Sequence, residues 1–246
     1  MNITNGIKNI LVYLIVYLPP IILFLKLRNK KSNIFFKIII SILYIVLSIF
    51  TQNLLPFIFT VIDIIYLRKN YFEGNYFGEN MFCNDYLHYK FNGDDFNLVK
   101  AIKYSIFSLF SSIIIMLIFQ LLFSMLKLKL KQQEVVTWMY NMPLNKFLIV
   151  IPVAVIFAPL VEEFIFRWLI FEKIFKSRLG IILAAVFSSV LFGVIHYNLR
   201  AFPILIWMGI FNCYLIHKKG FWYSVFNHFM FNFTNISIMF LDKFMT

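Results

Sequence analysis

Three places in the sequence combine residue types and spacings that could add water to a carbonyl. Pro159-Leu160-Val161-Glu162-Glu163-Phe164-Ile165-Phe166-Arg167-Trp168 sets two adjacent carboxylates and an arginine inside an apolar run. Ser188-Ser189-Val190-Leu191-Phe192-Gly193-Val194-Ile195-His196 ends on an imidazole. His228-Phe229-Met230-Phe231-Asn232 places an imidazole and a carboxamide four residues apart. On a helix, Glu163 and Arg167 meet on one face and can pair as carboxylate and guanidinium. Glu162 is turned away by about 100° and keeps no evident partner. Phe192 shares a face with His196, and Gly193 admits a close neighbouring helix. His228 and Asn232 project together, toward a bundle interior rather than lipid. A poorly solvated carboxylate can take a proton from water, and an imidazole can orient that water or share the proton. A second imidazole and an amide N–H can stabilise the oxyanion that forms. Each place also has an inert reading: acids at a wet helix end, an interfacial histidine, or a histidine–asparagine pair bridging helices. His88 and His217 need no functional explanation.

The elements that must position these groups follow from composition. Apolar residues make up 61% of the 246 and charged residues 14%, against roughly 45–50% and about 25% in soluble domains. With 32 Phe and 13 Tyr and a mean hydropathy of +0.82, no globular core of this size could hide the apolar surface. Disorder, collagen and a disulfide scaffold are excluded too. The expected fold is an all-α polytopic membrane protein of eight transmembrane helices. The spans are expected near 8–26, 35–52, 54–67, 101–126, 147–171, 180–197, 202–217 and 221–241. The first carries Pro19-Pro20 without a small-residue cleavage site and reads as a retained helix. The third is short and carries Pro56 and Asp63, so it is expected to be tilted or broken, hairpinned onto the second. Pro159 is expected to kink the fifth where the carboxylates begin.

One integral membrane domain is expected, with residues 1–140 as N-terminal membrane helices and 141–246 as the region carrying the chemistry. A polar loop at 68–100, rich in Asn, Asp, Gly and Tyr, is the sizeable extramembrane piece. The net charge of +12 is spread between apolar runs, which suits lipid headgroups and excludes nucleic acid. More Lys and Arg fall on one side of the spans, which places both termini outside, with Lys127, Lys129 and Lys131 dissenting. Cys83 and Cys213 lie in segments of different character and have neither disulfide nor metal-ligand spacing.

The Glu-Glu-x-x-Phe-Arg at Glu162–Arg167, Phe-x-x-x-His at Phe192–His196 and His-x-x-x-Asn at His228–Asn232 resemble the three signature motifs of the CAAX protease and bacteriocin-processing (CPBP, or Abi) intramembrane proteases. Order and spacing agree over about 95 residues, 147–241. The resemblance implies a membrane bundle around a conical, water-accessible catalytic cavity. It implies Glu162 as the carboxylate that activates water, with His196 assisting. His228 and Asn232 would form the oxyanion site, and Glu163 and Arg167 would support it. Trp168 departs from the small residue often found there, and its ring would narrow the cavity mouth.

Members of the family are commonly called metalloproteases, and Glu162, His196 and His228 have the composition of a two-histidine, one-glutamate zinc site. No His-Glu-x-x-His helix is present, and zinc on all three would leave only Glu163 as general base. A metal-free glutamate mechanism is preferred, with zinc an open alternative. Eukaryotic relatives cut the last three residues from prenylated CaaX proteins. Usage heavy in Ile, Asn, Lys and Phe points instead to an AT-rich bacterial genome. The expected substrate is therefore a peptide or membrane-associated protein, handled in the plasma membrane during bacteriocin self-immunity, bacteriocin maturation or surface-protein processing. Oligomeric state is left open. A non-catalytic immunity or adaptor protein is the rival reading, and an ion-coupled transporter is disfavoured by the lack of internal repeats.

Overall fold

The computed structural model describes residues 3–28, 33–51, 53–72, 91 and 93–245. A backbone in lipid must satisfy its N–H and C=O groups internally, and helices do so within one segment. Every regular element among the described residues is accordingly helical. In chain order they are α1 (Ile3–Val12), a π turn π1 (Tyr13–Tyr17), α2 (Leu18–Arg28), α3 (Ile34–Thr51), α4 (Leu54–Phe72) and α5 (Leu98–Met125). Next come α6 (Glu134–Asn141), α7 (Leu144–Pro152), π2 (Val153–Phe157), α8 (Ala158–Glu162) and π3 (Glu163–Phe175). The chain closes with α9 (Lys176–Val194), α10 (Phe202–Lys218) and α11 (Phe221–Met245).

The protein is an all-α membrane protein. Each of the eight expected segments is helical, and four stretches among the described residues are long and apolar enough to cross a bilayer: Gly6–Leu27, Ile34–Thr51, Leu98–Met125 and Leu144–Val194. The last holds 51 residues, about 75 Å of helix against a hydrocarbon core of roughly 30 Å. Gly180, at φ 75°, breaks it between the fifth and sixth expected spans. Phe202–Lys218 is apolar but shorter. The large apolar side chains exposed along α3 and α5, such as Phe50, Phe110 and Leu121, would be an aggregation surface in water and are a lipid-facing one here.

Two expectations change. The third segment is neither short nor broken: α4 runs without interruption from Leu54 to Phe72. Pro56 sits in its first turn, where a missing N–H breaks no helical bond. The short helix α6, with Glu134 in its first turn, precedes the fifth span and was not expected. Of the polar segment over 68–100, residues 73–90 and 92 lie outside the described residues, and Cys83 and His88 with them. Phe91 belongs to that segment yet is buried, its ring 5.3 Å from Trp168 and 5.0 Å from Phe221. Asn97 then caps α5 by accepting from the Lys100 N–H at 2.9 Å.

The core is centred on Val161, Phe164, Ile165, Phe166 and Trp168, with α9, α10 and α11 packed around them. The α9–α10 contact depends on two glycines. A Cβ at Gly193 would lie 2.9 Å from the Phe202 ring, and one at Gly209 would lie 2.7 Å from Ser189 Cβ and 3.1 Å from its Cα. The second clash meets backbone and cannot be relieved by a rotamer. Gly209→Ala is expected to cost about 1–3 kcal/mol, read as a lower thermal midpoint in detergent, and Ser189→Gly in the same chain should recover part of the loss.

Candidate active site

The carboxylates come from a helix that has lost its α register. Ala158 N–H bonds Val153 O across π2, five residues back. In the same register Pro159 would serve Ala154 O, but it has no N–H to give. Asn232 Nδ2, from α11, donates to that carbonyl instead, at 2.9 Å. Beyond Glu162 the chain winds as π3 through Phe175. π segments are rare and recur at functional sites, because the wider turn redirects side chains. A second tether comes from α9, where Ser188 Oγ donates to the Phe166 carbonyl within π3 at 2.7 Å.

This winding changes where the two acids point. Both reach His228: Nδ1 is 2.8 Å from Glu163 Oε1, and Nε2 is 3.7 Å from Glu162 Oε2. The α-helical expectation that Glu162 faces elsewhere is corrected, since a π turn rotates less per residue than an α turn. Glu163 also carries the pairing its spacing predicts, with Arg167 Nε 3.3 Å from Oε2. The Ser224 hydroxyl donates to that same oxygen. Glu163, Arg167 and His228 are buried, whereas the Glu162 side chain is 19% exposed. Glu162 is thus the acid that water can reach.

His196 closes α9. Its Nδ1 lies 2.7 Å from the Phe192 carbonyl. A carbonyl only accepts, so Nδ1 carries the hydrogen and Nε2 is left for other partners. The chain turns immediately afterwards through Tyr197, at φ 49°, a left-handed conformation that a tyrosine adopts only at some cost. Phe192 is the hub between motifs. Its ring meets the His196 ring edge-on at 4.6 Å, the His228 ring at 5.8 Å and the Arg167 guanidinium at 4.2 Å. The last contact is a cation–π pair in a desolvated setting.

All seven expected site residues therefore lie on neighbouring helices, six of them linked by contact or through Phe192 and Asn232 one turn beyond His228 on α11. Glu162, Glu163, Arg167 and His228 form one cluster, and His196 is held beside it within electrostatic reach of Glu162 and His228. Asn232 is committed in part, one amide hydrogen being bonded to Ala154 O. Asn232→Ala orphans that carbonyl and is expected to lower stability by about 1–3 kcal/mol, measured by thermal unfolding in detergent. Trp168 is corrected. Its ring is fully buried, stacked 4.7 Å from Phe164 and packed on Phe91, so it belongs to the aromatic core and narrows no mouth. One cavity of about 460 Å³ opens between α6 and α7, lined by Trp138, Met142, Lys146 and Ile149 among others, and includes none of these groups.

The zinc alternative does not fit this arrangement. Among the described residues no three His, Cys, Asp or Glu side chains gather as ligands would. His228 Nδ1 faces Glu163 and His196 Nδ1 faces a carbonyl, pairings that a metal-bound Nε2 would show as well, so it is the spacing of the three groups that disfavours zinc. Ser224 is the site residue that the motifs did not reveal. Its signal was present, since Ser224, His228 and Asn232 form one stripe at four-residue spacing along α11.

Residues 143–234 match the family model described as Type II CAAX prenyl endopeptidase Rce1-like. Among curated proteins, the "Putative membrane peptidase YdiL" of Bacillus subtilis (strain 168) is 34% identical over 95 residues, which is 38% of this chain and 38% of that protein. The match thus spans less than half of either chain. No solved structure matches the chain. The family resemblance read from the three motifs is borne out over residues 143–234, the region similar to the Rce1-like model.

Proposed function

We propose that the chain is an intramembrane endopeptidase, an eight-span bundle of the bacterial plasma membrane that hydrolyses a peptide bond with water activated by glutamate. The reading rests on one observation above all: the part-exposed Glu162 and the buried Glu163 face opposite nitrogens of the same imidazole, Glu163 bonded to Nδ1 at 2.8 Å and Glu162 3.7 Å from Nε2. Glu162 takes a proton from water as the oxygen adds to the substrate carbonyl carbon. His196 orients that water through Nε2. His228, with Nδ1–H donating to Glu163, serves the oxyanion through Nε2–H when the ring carries both protons, joined by the amide hydrogen of Asn232 not given to Ala154. Collapse of the intermediate breaks the C–N bond, and the proton on Glu162 passes to the departing amine. No step passes through a metal.

The substrate is a bacterial peptide or membrane-associated protein that reaches the site from the bilayer or its surface. The biological setting is bacteriocin immunity or maturation, or surface-protein handling. The match to an Rce1-like model and to a protein named as a membrane peptidase supports the reaction class. Comparing membrane and secreted peptides from cells carrying the wild-type chain or Glu162→Gln tests it. Peptides that appear only with the wild type are the expected result. Identical peptide sets, with any immunity phenotype kept by the variant, would replace hydrolysis with the adaptor reading.

A further inference from the structure

A second buried polar site lies away from the catalytic groups, between α2 and α4. Asp63 is 1% exposed and Thr60 0%, and neither Asp63 Oδ2 nor Thr60 Oγ1 has a hydrogen-bond partner. They lie three residues apart on α4, so both oxygens leave one helix face. That face is packed, since Ile64 and Leu67 cluster with Val16, Leu23 and Leu27 of the N-terminal helix. The N-terminal helix is itself opened here. Pro19 and Pro20 have no N–H, so the carbonyls of Ile15 and Val16, one turn back, lose their α-helical donors. Just before the prolines the chain passes through π1, with Leu18 N–H bonded to Tyr13 O. Tyr44, on α3, lies within electrostatic reach of Asp63 and gives its hydroxyl to the Tyr17 carbonyl at 2.5 Å. The neighbourhood therefore offers a carboxylate, a hydroxyl and freed carbonyls, while no ion pair or hydrogen bond engages Asp63 among the described residues.

We propose that Asp63 and Thr60, with the carbonyls freed at the Pro19-Pro20 bend, form an alkali-metal cation site that fastens α4 to the bent N-terminal helix. Oxygen donors alone suit a hard cation, as in membrane proteins whose unwound helices present carbonyls to sodium. The charge selects a monovalent ion, because one carboxylate neutralises one positive charge, and a divalent ion would leave net charge buried at bilayer depth. A proton alone would leave Thr60 Oγ1 unpartnered, whereas a cation engages both oxygens together.

The test uses the full chain in detergent, unfolded thermally in sodium, potassium or choline chloride at equal ionic strength. Sodium or potassium should raise the midpoint saturably by several degrees over choline, as ligand linkage requires. The rise should vanish in Asp63→Asn, shrink in Thr60→Val and persist in Glu162→Gln, which keeps it separate from the fate of the peptidase reading. Equilibrium binding of ²²Na to the wild type, near one ion per chain and reduced in Thr60→Val, decides the matter if Asp63→Asn does not fold. Equal midpoints in all three salts, a rise that survives in Asp63→Asn, or stabilisation by acid in place of the cation would each overturn the site.

Discussion

Glu162→Gln is expected to fold as the wild type does and to hydrolyse substrate about 10²–10⁴-fold more slowly, the usual contribution of a positioned general base. The folding half of this expectation comes from the surroundings of Glu162. Its side chain is part-exposed and 3.7 Å from His228 Nε2, too far for a hydrogen bond, so an isosteric amide disturbs little. The kinetic half comes from chemistry, since a carboxamide accepts no proton from water at neutral pH. Side-by-side thermal melts and single-turnover cleavage of a peptide identified by the comparison above read the two halves separately. A variant that melts normally and still cleaves at near wild-type rate would remove Glu162 from the role of base.

Glu163→Ala should instead act on stability, with a loss of about 3–5 kcal/mol, as for breaking a buried ion pair from one side. Glu163 is fully buried and answers three partners: Arg167, His228 and Ser224. Its removal leaves Arg167, whose nitrogens have no hydrogen-bond partner, as an uncompensated charge stacked on Phe192. The double variant Glu163→Ala with Arg167→Met should recover much of the midpoint, because the charge is gone and the volume is kept. It should not recover the rate, because His228 Nδ1 still lacks the acid that orients the ring. Recovery of both would mean that Glu163 matters only for folding, and a midpoint unchanged in the single variant would deny the ion pair any structural weight.

Much of this arrangement could be read from residues alone. Uninterrupted apolar runs announced the helices, and four-residue spacings announced Glu163 with Arg167 and Phe192 with His196. Register could not be read. Spacing rules assume 3.6 residues per turn, and nothing local to Glu162-Glu163 signals that π2 and π3 widen the helix around them, although Pro152 and Pro159 mark where donors are missing. Partners from distant segments were equally hidden. The Ala154 carbonyl that Asn232 meets, the Phe166 carbonyl that Ser188 meets and the Phe91 ring against Trp168 depend on tertiary packing that one sequence does not encode locally. Trp168 shows the cost of judging a large ring by its place in a motif: its neighbours, not its position after Arg167, decide that it is core.

Phe91 has a practical consequence for anyone who handles this protein. Its ring is wedged against Phe164, Trp168 and Phe221, and its carbonyl accepts the Trp222 indole N–H at 3.2 Å. A polar connector that looks like the natural place for an epitope tag or a fused reporter is thereby bolted, at this residue, to the rod bearing both acids. Cargo spliced in next to it would lever on Trp168, one residue after the arginine that neutralises Glu163, and would report a damaged fold as an inactive protein.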